Sequence, residues 1–232
     1  MRQCPLASFV ALAVLAAGLA GCSPWDVDRW NQKVIVEVET PDGVVAGSSV
    51  QAVKFSRAKF NVPDGPSYSF KATGEAVAVE VGPGRFLFAL LTGERHFGDA
   101  GKLAPVAFVG LASPRGFASP EAVKRVASLP AGSRAPLPRE AYPLLVTFAD
   151  IDDPKTVRRV DPDDLAASFG PGVSLKSITL EITDEKVTEG RIEQVLGWLE
   201  AVGRERASLK PYPKGVKSTE LTDPEIQLLA PS

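Results

Sequence analysis

Hydrophobic and polar positions alternate along much of the first half of the chain. Residues 33–39 put Val34, Val36 and Val38 on one side, and Lys33, Glu37 and Glu39, with Ile35, on the other. That is the period of a half-buried strand. Thr40-Pro41-Asp42-Gly43 reads as a turn, with Pro at its first central position. A second strand over 44–57 follows, with Gln51, Val53, Phe55 and Arg57 sharing a face and a bulge or bend at Gly47-Ser48-Ser49. A short strand is expected over 68–72, after the turn Pro63-Asp64-Gly65-Pro66. Val77, Val79 and Val81 then alternate with Ala76 and Ala78 up to the turn Gly82-Pro83-Gly84. Residues 86–91 (FLFALL) are apolar on both faces, as expected for the central strand of a sheet. Residues 105–110 read as one more strand. This succession of short strands and turns predicts a β-sandwich or an open barrel.

The second half is mixed. Ser119 before Pro120 marks a helix start, and Val123 and Val126 line one face of a helix to about Leu129. A Pro-rich loop spans 130–143. A buried strand over 144–148 follows, and Asp161-Pro162 starts a short helix ending at Gly170. A strand over 173–183 turns Ile178, Leu180 and Ile182 inward. Ile192, Val195, Leu196, Leu199 and Val202 predict a helix over 189–202, stopped by Gly203. The expected class is α+β: an antiparallel β-sandwich or open barrel in the N-terminal half, with helices and two further strands from the C-terminal half.

The composition is that of an ordinary globular protein, with 44% of residues hydrophobic and a net charge of −2. The charge gives no basis for nucleic-acid binding, which calls for a basic face. One His and two Cys leave little material for zinc or for a disulfide framework.

The amino end carries the most specific signal. Arg2 is the only charge before Asp26, and Leu6 to Leu19 is apolar apart from Ser8. This stretch is short for a membrane span and suits the apolar region of a secretory signal. It ends on Leu19-Ala20-Gly21-Cys22, which resembles the lipobox of bacterial lipoproteins. The resemblance implies that the Cys22 thiol receives a diacylglycerol, that cleavage falls just before it, and that the new amino group is also acylated. Ordinary signal-peptidase cleavage after Ala20, or an uncleaved anchor, are the alternatives. Lipidation at Cys22, with Cys4 lost, leaves a mature chain of net charge −3 without a disulfide. Ser23 in place of Asp implies the periplasmic face of the outer membrane, with the inner membrane as the other choice.

Trp30-Asn31-Gln32-Lys33, running into Val36-x-Val38-Glu39-Thr40-Pro41-Asp42-Gly43, resembles the mature start of uncharacterised Gram-negative lipoproteins. That group has no known activity, so the resemblance implies no site residue. The expected organisation is a signal at 1–21, lipidated Cys and short tether at 22–32, a single α+β domain at 33–207 and a C-terminal strap or tail at 208–232. Within the domain, 33–112 is β-rich and 113–207 mixed. In the tether, Trp30 is expected to be buried at the open end of the β structure. Trp25 reads equally well as buried or as seated at the lipid headgroups.

Candidate chemistry is sparse. His96 lies in Gly93-Glu94-Arg95-His96-Phe97-Gly98-Asp99 and could serve as a base oriented by Asp99 or Glu94. A surface-loop role is favoured, since there is no Gly-x-Ser-x-Gly elbow and no free Cys nucleophile. The acids Asp150, Asp152, Asp153, Asp161, Asp163 and Asp164 surround Lys155, Arg158 and Arg159. Asp150, Asp152 and Asp153 are candidate Ca²⁺ ligands, but they lack the Gly and distal Glu of an EF-hand loop. Helix starts at Asp153-Pro154 and Asp161-Pro162, with acids favoured near a helix N-terminus and the intervening bases neutralising them, explain their spacing better. Arg134 and Arg139 would form at most a small basic patch toward anionic headgroups. The expected function is a non-catalytic envelope lipoprotein. It would touch the membrane through the lipid on Cys22 and bind an envelope protein or component, with no cofactor and no nucleic acid. The alternatives are a metal-dependent hydrolase using residues 150–164 and a lipid or glycan carrier in the β-rich half.

Overall fold

The computed structural model describes residues 25–59, 68–93, 98–111 and 118–199. The chain divides into two compact units, Met1–Val27 with Ser56–Ser69, and Asp28–Phe55 with Phe70–Ser232. In the first, the Lys59 ammonium lies 3.6 Å from the Asp26 carboxylate.

Nine strands are seen among the described residues. They are β1 (Trp25–Thr40), β2 (Gly43–Ala58), β3 (Tyr68–Thr73), β4 (Val77–Gly82), β5 (Arg85–Gly93), β6 (Arg134–Pro136), β7 (Pro143–Phe148), β8 (Val157–Arg159) and β9 (Ser174–Thr183). The helices are α1 (Leu103–Val109), α2 (Pro120–Ala127), α3 (Ala166–Phe169) and α4 (Arg191–Val195). The strands form two antiparallel sheets in the orders β3-β2-β1-β9-β6 and β4-β5-β7-β8. The class is therefore α+β with a β-rich first half, as the sequence indicates.

The larger unit is organised by the apolar rows. In the β1–β9 pair, Val34 stands opposite Leu180 and Val36 opposite Ile178. Directly opposed residues share a face, so a slip of one residue would turn a buried row to water. On the other sheet, Val77 opposes Ala89 and Val79 opposes Leu87. These rows meet Val53, Phe55 and the α1 and α2 side chains in one core. β5 is buried on both faces: Leu87 and Ala89 enter that core, while Phe88 and Leu90 enter a second one. There Val146 and Phe148 of β7 pack with Ile192 and Leu196. The segment around α4 thus covers the other face of the four-stranded sheet. Trp198 stands edge-on to Phe148, 5.8 Å between ring centres, and its Nε1 donates to Ile151 O at 2.9 Å.

The structure corrects five sequence expectations. β1 starts at Trp25, so a strand occupies much of the expected 22–32 tether. Its buried row extends through Trp30 and Gln32, and an inward-facing Gln breaks the apolar pattern that would reveal it. Residues 105–110 belong to α1, not to a strand. Leu103 and Val106 sit three apart on its buried side, Pro105 is accommodated in the first turn, and Gly110 ends it at φ 90°. Asp161-Pro162 forms a turn, with the helical residues beginning only at Ala166. Finally, α4 ends at Val195, because Leu196 leaves the helical region at φ −108°, ψ 75°. The expected Pro-rich loop also contains β6, an edge strand that pairs Pro136 with Thr179, a position where a missing N–H is tolerated. The helix start at Ser119 is as expected: its side chain accepts from Ala122 N at 3.2 Å.

Among the described residues, no helix is long and apolar enough to cross a membrane.

Candidate functional site

The acidic segment leads from β7 through β8 to α3. Asp150 Oδ1 accepts from Asp152 N at 3.0 Å, and Asp153 Oδ1 from Lys155 N at 2.9 Å. Asp161 Oδ1 accepts from Asp163 N at 2.9 Å, and Asp164 Oδ1 from Ala167 N at 3.1 Å. Each is a short side chain closing its own local turn, which is why Asp accumulates here. Thr156 closes the first loop, its hydroxyl donating to Asp150 O at 2.7 Å and to Asp153 O at 2.8 Å. Asp163 has a different role. Both its oxygens accept from the Arg139 guanidinium, at 2.9 to 3.3 Å. That bonding holds its carboxyl below the usual carboxylate range. Among the described residues, no three His, Cys, Asp or Glu side chains converge as a metal-holding set, Asp150, Asp152 and Asp153 included.

Each of the two arginines is paired with a carboxylate. Arg134 is paired with Glu181 of the neighbouring strand at 2.7 Å. Arg139 is committed to Asp163 and also lies 5.4 Å from the Tyr142 ring centre.

Sequence reasoning missed a buried amide cluster. Gln32 and Gln51 face inward from β1 and β2, both almost fully buried. Trp30 Nε1 donates to Gln32 Oε1 at 3.1 Å. Gln32 Nε2 donates to Gln51 Oε1 at 3.1 Å and to Ala100 O at 2.7 Å. The cluster therefore ties two strands to the turn before α1. Beside that turn, Lys102 Nζ lies 2.6 Å from Asp99 Oδ2, with only 13% of the Lys102 side chain exposed. The other Asp99 oxygen accepts from Gly93 N at 3.5 Å. These bonds tie Gly93 to Asp99 and Asp99 to Lys102; His96, the candidate base, lies outside the described residues. The one sequence signal for the amides was Gln51 sharing a face with Val53 and Phe55.

A second clasp holds the α4 segment. The Glu75 carboxylate accepts from Arg191 N and Ile192 N at 3.1 to 3.2 Å. Thr188 and Val50 exchange two hydrogen bonds, at 2.8 and 3.0 Å.

Cys22, the lipidation candidate, also lies outside the described residues, as do 1–24 and 200–232. The polar groups described above fix turns, strands and loop ends. Among the described residues, side chains from both sheets pack together in the larger core. No protein-family model, no curated protein and no solved structure matches the chain.

Proposed function

We propose that the chain is a lipid-anchored bacterial envelope lipoprotein, held through Cys22 and presenting a non-catalytic binding module to the periplasm. The observation that carries this reading is the apolar run Leu6–Leu19 ending on Leu19-Ala20-Gly21-Cys22. Thioether lipidation needs a thiol at the junction, with small residues before it for access to a narrow protease site. A single acyl chain binds a membrane only marginally, whereas two or more hold stably. Full processing would supply three chains and make the attachment permanent. Ser23 at the next position favours export to the outer membrane.

Intact-mass analysis of the native product tests the anchor. The expected mass is that of a chain beginning at Cys22 and carrying three acyl groups. An unmodified thiol, or a different first residue, would overturn the proposal. Cys22→Ala is expected to move the protein from the membrane to the soluble fraction with its circular dichroism unchanged. Density-gradient separation of the two membranes tests the outer-membrane assignment, with recovery in the inner membrane the opposing result.

A further inference from the structure

Three cations stand side by side on the outward face of the five-stranded sheet. Arg29, Lys54 and Lys71 are exposed on β1, β2 and β3, while their chain neighbours Trp30, Val53, Phe55 and Phe70 pack into the core. The strands lie in the order β3-β2-β1. Two contacts set the β1–β2 register: Thr40 Oγ1 donates to Gly43 O where the hairpin closes, and Gln32 Nε2 donates to Gln51 Oε1. The same register puts Arg29 opposite Lys54. Between β2 and β3, the Phe55 and Phe70 ring centres are 4.8 Å apart, and a Cβ on Gly74 would lie 3.2 Å from Gln51 Cα. Those pairings put Lys71 opposite Lys54 on its other side. Directly opposed residues have Cβ atoms about 4.5–5.5 Å apart, so the row is roughly 10 Å wide.

The row carries no compensating charge. Among the described residues, none of the three cations has a hydrogen bond or an ion pair through its side chain. Further along the same face the pattern is different. Lys33 meets Glu185 at 2.7 Å, Arg134 meets Glu181 at 2.7 Å, and Lys176 lies 3.6 Å from Glu37. Like charges directly opposite each other destabilise a sheet. Lysine on an edge strand guards against the addition of a further strand, which accounts for Lys71 on β3. It does not account for Lys54 or Arg29, whose strands are interior to the sheet. Anions brought against this face would relieve the repulsion at all three positions.

Chain length and charge indicate where the anions come from. Arg29 is seven residue steps from Cys22, a span of at most about 25 Å. A lipid on Cys22 therefore keeps the row close to a surface of phosphate headgroups. Arginine binds phosphate through paired N–H groups and lysine as a point charge. We propose that the Arg29–Lys54–Lys71 row binds the headgroups of anionic phospholipid in the anchoring membrane, with this face of the sheet lying against the surface. The proposal rests on the lipid-anchored reading and adds an orientation to it. The mature chain has net charge −3, so an anionic surface repels it as a whole and attracts it at this row. Screening limits that attraction to about 8–10 Å, so it acts only when this face is turned toward the lipid.

The test uses the natively processed protein, its lipid confirmed by intact mass, in vesicles of phosphatidylcholine with and without phosphatidylglycerol. A water-soluble reagent acylates exposed lysines, and peptide mass spectrometry gives each rate. Lys155, exposed in the turn before β8, is the reference. A cation near an anionic surface shifts occupancy by about fivefold, so Lys54 and Lys71 should react about threefold or more slowly when phosphatidylglycerol is present. Arg29→Gln should remove at least half of that protection. About 1 M salt, where the screening length is ~3 Å, should erase it. Without lipid, in a Cys22→Ala background, Lys54→Gln should raise the urea midpoint by relieving the row; a lowered midpoint would show that Lys54 serves the fold and would overturn the proposal. Equal rates in the two vesicles, with Cys22 lipidated, overturn it and leave the anchor standing. Protection in native membranes but not in phosphatidylglycerol vesicles overturns it in favour of an acidic protein partner. A mass without lipid on Cys22 removes the anchor reading, and the proposal with it.

Discussion

Gly47→Ala tests the packing between the two sheets. Gly47 lies on β2, and a methyl group there would enter the carbonyl of Ala78 on β4. It would lie 3.0 Å from the Ala78 carbonyl carbon and 2.9 Å from Val79 Cγ2, where ordinary contacts are 3.4–4 Å. The Val79 methyl can yield; the Ala78 carbonyl is backbone and cannot rotate away. Nearby, Ser49 Oγ donates to Glu75 O at 2.8 Å, so β2 is held close to the chain entering β4. Relief requires β2 or β4 to shift bodily. Overpacking of this sort costs about 1–3 kcal/mol, and a backbone obstacle argues for the upper half. Against it stands a gain of about 0.4–1 kcal/mol, because alanine restricts the unfolded chain. The net expectation is a loss of about 2 kcal/mol, or ~4–8 °C in melting temperature for a domain of this size. Gly197→Ala is the control: nothing lies within 4 Å and the backbone is not at positive φ, so only the stabilising contribution remains. Urea unfolding of both variants in a Cys22→Ala background keeps lipid out of the measurement. Equal slopes with a lower midpoint for Gly47→Ala, and an unchanged or higher one for Gly197→Ala, are expected. A Gly47→Ala protein as stable as its parent would refute the close approach of β2 and β4.

Three further outcomes follow from the polar clusters. Gln32→Leu strands the Trp30 indole N–H and Ala100 O in the core. It should cost about 3 kcal/mol in urea unfolding, and a loss under about 1 kcal/mol would show that the amides are not a working network. Glu75→Ala removes the acceptor at the start of α4. Amide exchange over 191–196 should quicken about tenfold or more while the β1–β9 amides hold their rates; equal acceleration in both places would refute a local clasp. The third concerns acid. Ser177 donates to Glu37 Oε2 at 2.7 Å, and this bond, followed by the Lys176 charge, lowers the Glu37 pKa. A carboxylate with a lowered folded pKa stabilises fully above its unfolded pKa, and that contribution is lost as pH falls through the folded value. Ser177→Ala should therefore flatten the acid limb of stability against pH, and an unchanged limb in a pH-stepped urea series would contradict the assignment.

How much of the fold was legible depended on what each face touches. β1 and β9 each have one dry row, so Val34, Val36, Ile178 and Leu180 announced their strands by alternation. β5 has two dry faces, and its continuous apolar run correctly implied an interior place. The same rule failed at 105–110. A short apolar run does not distinguish a strand from a buried helix, and only Pro105 near the start with Gly110 at the end pointed to the helix. The start of β1 was hidden for a different reason. Gln32 occupies an inward position that periodicity expects to be apolar, and its burial is made tolerable by partners 19 and 68 residues away in sequence. No local pattern carries that information. The cover over the four-stranded sheet was half legible: Ile192 and Leu196 were marked as an apolar face, while the break after Val195 follows from tertiary contacts.

The acidic segment shows why a dense cluster of carboxylates can suggest a site without forming one. A cation site needs oxygens from separate points of the chain converging on one centre. A turn needs one oxygen directed back at a backbone N–H two or three residues ahead. Asp150, Asp153, Asp161 and Asp164 all meet the second requirement. Between them the chain leaves β7, forms β8 and enters α3 within a few residues per step. Reversals packed this closely call for short polar side chains at each start, so the count of Asp follows from the count of turns. The two Asp-Pro pairs carry the same message. Proline fixes the backbone just after the acid and gives up an N–H that a turn does not need. Asp163 departs from the rule: both its oxygens meet a distant residue, Arg139, across 24 positions of sequence, and the same guanidinium lies 3.9 Å from Asp161. Its bidentate pair joins the chain before β7 to the chain after β8, an ordering contact of the kind Arg forms best. The segment therefore works as a set of corners tied at one point, and its charge pattern is a consequence of that geometry.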